Sequence, residues 1–224
     1  MKKKGPKHKD ALAPQQERSR ESLRKLLKAA AEVLGQHGVE GTTIPRIAQH
    51  AGLTPGAVYR RFKDKDELLE TMILGILERQ EERSRSALTP EGAAQIPLPL
   101  FAEQVVGSMV MSYRANAGLL RGMRTFVHTR DDISFCKKAG KLESRSFSHA
   151  INLFMAHKKD IRHPDPRMAI SLGLMMVSSM LYDWVVMASD ISAWKPFLPK
   201  DDQELKRELT RAFLSYLGVE PKPS

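Results

Sequence analysis
A single cysteine, Cys136, stands in the 224 residues, so the chain has no internal disulfide and no cysteine-rich zinc site. That scarcity fits a reducing compartment. The seven histidines are scattered; none forms a His-Glu-x-x-His pair, and no paired carboxylates stand beside them. Walker loops and dinucleotide fingerprints are also missing. Ser134-Phe135-Cys136-Lys137 fits Ser-x-x-Lys, but so does Ser22-Leu23-Arg24-Lys25, and matches this short arise by chance. Lys137 and Lys138 would favour a thiolate at Cys136. The simpler reading is a small, partly buried helix residue. No catalytic constellation is found, and neither a cofactor nor a metal is expected. Sustained period-two alternation is absent, so no sheet is expected. No segment repeats. No apolar run follows the basic N-terminus, so no signal peptide is expected.

What is present is a helical pattern and an uneven charge. Apolar residues make up 42% of the chain, enough for a small domain and a larger helical one. Residues 1–65 carry 15 Lys and Arg against 6 Asp and Glu, a net of +9. Residues 66–224 carry 21 against 20, a net of +1. Segregation of this kind points to a polyanion partner at the N-terminal end. An acidic membrane surface would call for bulky apolar residues beside the charges, and none are there.

The basic end contains the stretch Thr42 to Phe62, read as two short helices joined by a tight turn. Thr43 suits an N-cap and Pro45 a first helical turn. Ile44, Ile47, Ala48 and Ala51 give an apolar face, and Gly52 suits the left-handed position that ends a helix. Thr54-Pro55 repeats the start signal. Val58 and Phe62 face inward, which puts Gly56, Tyr59, Arg60 and Lys63 on the other side. Gly56 and Ala57 keep the leading turn thin. This suits a helix-turn-helix, whose second helix enters the major groove.

The same residues resemble a family. Thr43, Ile47-Ala48, Ala51-Gly52-Leu53-Thr54, Val58-Tyr59-Arg60-Arg61-Phe62 and Lys65-Asp66-Glu67-Leu68-Leu69 are similar to the DNA-binding domain of the tetracycline-repressor (TetR) family, over roughly residues 20–70. Pro55 and Arg60-Arg61 depart from the family pattern, at positions that bear on DNA sequence preference. The resemblance implies double-stranded operator DNA as partner, with Tyr59 and Lys65 at phosphate-contacting positions. The expected DNA-binding set is Thr43, Arg46, Thr54, Pro55, Gly56, Ala57, Tyr59, Arg60, Arg61, Lys63 and Lys65. Arg60 is the candidate for reading a guanine edge.

The expected organisation is all-α. A basic flexible tail covers 1–16, the helix-turn-helix domain 17–64, a connecting helix 65–89, a helical ligand-binding and dimerisation domain 90–218, and a flexible end 219–224. The first helix is expected over 17–36. The stretch 89–99, with three prolines, reads as a loop. Helices are expected near 100–114, 117–129, 132–157, 165–190 and 201–217. Met168 to Ala188 holds one charge, Asp183, in 21 residues. Its serines and flanks argue against a membrane span, and a helix apolar all round needs burial on every side. In TetR-like proteins the last two helices form a dimer seam. The stretches 165–190 and 201–217 match that pair, with Leu209 and Phe213 expected at the seam.

The second domain is rich in methionine and aromatic residues, suited to repacking around a small apolar or amphipathic effector, although ordinary core explains each residue singly. Arg121, Arg124 and His128 share one helix face, as polar anchors if it points inward and as a solvated basic face if it points outward. With Met180 and Trp184 they form the candidate ligand set. The reading is a cytoplasmic, nucleoid-associated homodimeric regulator that a ligand releases from DNA. The alternative is a helical ligand-binding protein or enzyme that a basic N-terminal domain localises.

Overall fold
The computed structural model describes residues 12–130, 133–187 and 196–219. Every regular element among the described residues is helical. The lysine-rich tail to residue 11, the end of the expected helix at 188–190 and residues 220–224 lie outside them. The chain divides into two compact units between Ile73 and Leu74.

Unit 1 begins with α1 (Leu12–Gly41), longer than the expected 17–36. Leu26, Ala30, Val33 and Leu34 recur at helical spacing and are fully buried. Gly38 breaks the helix with φ +64° and ψ −174°, a conformation open in practice only to glycine. The Thr42 hydroxyl donates to the Gly38 carbonyl at 2.6 Å and secures the bend. Next come α2 (Ile44–His50) and α3 (Pro55–Tyr59), each with Pro in its first turn. Thr43 Oγ1 accepts from Arg46 N at 3.3 Å, and Thr54 Oγ1 from Ala57 N at 3.2 Å. Such caps are each worth about 1 kcal/mol. Gly52, at φ +68°, makes the turn between them. Ile44, Ile47, Ala48, Val58 and Phe62 close over the α1 stripe.

The helix α4 (Lys65–Ala87) starts with reciprocal caps. Asp64 Oδ1 accepts from Glu67 N at 2.8 Å, and Glu67 Oε2 accepts from Lys63 N at 2.7 Å. Leu68, Leu69, Met72 and Ile73 are buried, while Glu78 to Gln80 are exposed. The division between the units falls inside this helix.

Unit 2 differs from expectation in three places. The stretch after Thr89 is not wholly loop: α5 (Pro90–Ala93) forms there, because Thr89 Oγ1 accepts from Gly92 N at 3.2 Å. The two helices expected over 100–129 are one, α6 (Leu98–His128). The expected gap survives as a local departure at Asn116, φ −120° and ψ 16°, where the amide donates to the Ser112 carbonyl. After α7 (Ile133–Met155), α8 (Pro166–Leu181) does not run on as α-helix. It passes into a π-helical turn, Tyr182–Val186. The last helix, α9 (Asp202–Tyr216), is capped by Asp201, which accepts from Glu204 N at 2.8 Å.

The core of unit 2 centres on Phe101, Phe154 and Phe213. The ring pairs Phe101–Phe154 and Phe154–Phe213 lie 4.6 and 5.2 Å apart. At Gly173 of α8 a Cβ would meet the Phe213 ring at 2.6 Å, so glycine is what lets α9 approach. The α9 stripe corrects the sequence expectation. Leu205, Leu209, Phe213 and Leu217 are buried in the chain's own core and are not presented to a second chain. On α8, Ala169, Ile170, Gly173, Leu174 and Val177 are buried, yet Met168, Leu172, Met175 and Met176 are 40–58% exposed. The span Pro166–Val186, of mean hydropathy 1.5, is long and apolar enough to cross a membrane by length and composition. In the structure its inner face belongs to the helical core.

Candidate nucleic-acid interface
The turn at Gly52 and the two threonine caps place α3 with Val58 buried and its other face outward. Pro55 and Gly56 are exposed at its N-terminus, and Tyr59 is 56% exposed. A Cβ on Gly56 would meet nothing within 4 Å, so nothing among the described residues requires glycine there. Ala57 is half-buried and Thr43 and Thr54 are exposed.

The cations divide into two groups. Arg60 is exposed and its side chain has no partner among the described residues. Lys63 is exposed and lies 3.8 Å from Asp64, a loose pair. The other three point back into the domain. Arg61 donates from Nη1 to the Ser19 carbonyl at 3.1 Å and from Nη2 to the Ser19 hydroxyl at 3.3 Å. Lys65 Nζ donates to the Val39 carbonyl at 3.2 Å. Arg46 Nη1 donates to the Gly41 carbonyl. These contacts tie α3 to the start of α1, and α4 and α2 to its end. Sequence reasoning missed Ser19 and the His50–Glu32 contact at 2.8 Å, which joins α2 to α1. Partners 42 and 18 positions apart leave no periodic signal.

The profile of the bacterial regulatory proteins of the tetR family matches residues 26–72, from the buried stripe of α1 to the first half of α4. Over those residues the chain is similar to the DNA-binding domain of the TetR family. The regulator BetI of Escherichia coli is 31% identical over 95 residues, 39% of this chain and 49% of its own length. The matched stretches span less than half the length of the first curated relatives. Solved structures extend the likeness of fold to unit 2. A tetR-family regulatory protein from Rhodococcus RHA1 superposes with a TM-score of 0.64 at 20% identity, covering 89% of this chain and 98% of that one. FadR of Bacillus subtilis, solved in complex with stearoyl-CoA, superposes at 0.60 and 17% identity, covering 86% and 98%.

The candidate ligand residues lie at the meeting of α6 with the π turn. Arg121, Arg124 and His128 are exposed, and Met180 and Trp184 are half-buried against the core. Arg121 donates from Nε to the Val186 carbonyl at 3.0 Å, and its Nη2 donates to the same oxygen. Arg124 stacks over the Tyr182 ring at 4.2 Å. His128 joins neither contact. Of the methionine and aromatic walls, Phe126 and Phe154 are core, and Met111, Met175 and Met176 are exposed. An open hollow of about 590 Å³ lies elsewhere, lined by Arg130, Ile133, Cys136 and Lys137. Among the described residues, no group of three or more His, Cys, Asp or Glu is placed to hold a metal.

Proposed function
We propose that this chain is a dimeric, sequence-specific transcriptional regulator of the TetR family, acting on the nucleoid, whose operator affinity falls when a small molecule binds unit 2. The observation that carries it is the outer face of α3. A capped N-terminus, an open Gly56, an exposed Tyr59 and an exposed Arg60 stand together, and nothing among the described residues uses them. A thin leading turn admits the backbone to the major groove, and Arg60 reaches a base edge there. The helix N-termini under Thr43 and Thr54 favour phosphates.

Two copies of α3 reach one palindromic operator if they stand about one helical turn apart, roughly 34–36 Å. The unpartnered apolar residues of α8 supply a surface on which a second copy can pair. An effector then acts by altering the spacing of the two α3 helices, through α4, the helix common to both units. The stearoyl-CoA bound to the Bacillus subtilis FadR supports an amphipathic effector.

The test is genome-wide mapping of bound sites, followed by titration of a recovered site and a scrambled duplex across a salt series. A site bound at least 10³-fold more tightly than the scramble is expected. A ratio near one would leave a non-specific DNA-coating protein instead.

A further inference from the structure
The polar cluster where α6 meets the π turn holds more donors than the described residues can use. Arg121 and Arg124 lie three apart on α6 and share a face. Arg121 spends its guanidinium on one neutral peptide carbonyl, that of Val186. Arg124 rests on the Tyr182 ring, and its N–H groups have no acceptor among the described residues. The Tyr182 hydroxyl has none there either. Burial raises the Tyr182 pKa from its ordinary value, against the opposing pull of Arg124 and Arg121, so the phenol stays a donor at neutral pH. Tyr113 and Ser178 satisfy each other at 2.6 Å. Asp183, in the π turn itself, is exposed, and among the described residues it hydrogen-bonds to neither arginine.

Arg121 on a single carbonyl, with Arg124 three residues on and stacked over Tyr182, leaves guanidinium donors that no anion meets among the described residues. A carboxylate or phosphate takes two parallel hydrogen bonds from a guanidinium and adds an opposite charge, which a single peptide carbonyl does not. The carbonyl now held belongs to a rare backbone form, a π turn closed by Met187 N to the Tyr182 carbonyl at 3.0 Å.

We propose that Arg121 and Arg124 bind an anionic group, carboxylate or phosphate, which takes the place of the Val186 carbonyl on Arg121 and frees the π turn. This rests on the reading of unit 2 as the effector-binding part, and it names the chemistry of the effector's charged end.

Trp184 lies in the π turn and reports on it, once Trp194→Phe makes it the sole tryptophan. The full chain in that background is titrated with laurate, dodecyl phosphate, uncharged dodecanol and pyrophosphate, all below micellar concentrations. A saturable change in Trp184 emission is expected with one or more of the anions and not with dodecanol. A response to the alkyl anions alone identifies an amphiphile; a response to pyrophosphate identifies a free phosphate. Arg124→Gln leaves the Arg121–Val186 contact in place, so it tests binding without loosening the turn, and it should raise Kd at least tenfold. Arg121→Gln should do the same. Anions also bind the basic unit 1, and dependence of the Trp184 signal on Arg124 separates the two. An equal response to dodecanol, no saturable response to any anion, or a Kd unchanged in Arg124→Gln overturns the site. Operator binding by the same preparation is measured in parallel. DNA binding without an anion response sinks this inference alone, and an anion response without specific DNA binding sinks the regulator reading.

Discussion
Arg60 and Arg61 are neighbours in sequence and point to different tasks. Arg60 has no side-chain partner among the described residues, whereas Arg61 holds Ser19 with two hydrogen bonds. Arg60→Ala should cost about 1–3 kcal/mol on the operator and much less on scrambled DNA. Arg61→Ala should weaken both duplexes alike and lower the melting temperature, since a tie of α3 to α1 is lost at about 0.5–1.5 kcal/mol per bond. Anisotropy on both duplexes, with a thermal melt of each variant, checks the pair. Equal losses on the two duplexes for Arg60→Ala would move Arg60 to the phosphate-contacting group. The sequence put both arginines in one set, because residue type and helix phase say which side a residue starts from. They do not say where a long side chain ends. The same holds for Lys65, whose acceptor at Val39 lies 26 positions back.

Elements were legible where their signals are local. Thr43-Ile44-Pro45 and Thr54-Pro55 announce α2 and α3, and the structure shows those caps made. The cap at Thr89 uses the same chemistry, but three prolines hid it inside an apparent loop. The π turn carries no composition of its own, and Tyr182–Val186 reads as ordinary apolar helix. Gly173 was equally silent, because the residue that requires it, Phe213, arrives from another helix. Gly173→Ala puts a methyl group into that ring, and overpacking of this kind costs about 1–3 kcal/mol. Phe213→Leu in the same chain should recover part of the loss by making room. Urea denaturation of the single and double variants measures it. A single variant as stable as the parent would mean that α8 and α9 separate freely.

At the scale of the molecule, the all-helical class and the basic end were readable from helix pattern and charge, but the side to which the α9 stripe turns was not. An apolar stripe looks the same whether it faces its own core or a partner, and α9 uses its stripe inside. Leu172 and Met175 are the better probes of the proposed dimer, being 42% and 55% exposed. Leu172→Glu with Met175→Glu should leave the fold intact and yield monomers by sedimentation equilibrium. An unchanged dimer would remove α8 from the seam. The placement of α9 also sets an order of events during synthesis. Unit 1 has its whole core once Ile73 has been made. Unit 2 waits for residues 205–217, because Phe213 and its neighbours fill the centre that α6, α7 and α8 surround. While the ribosome extends the chain from α5 to α8, those helices lack their plug and expose apolar surface. The nascent protein thus passes through a stage in which unit 1 is finished and unit 2 still lacks the centre of its core.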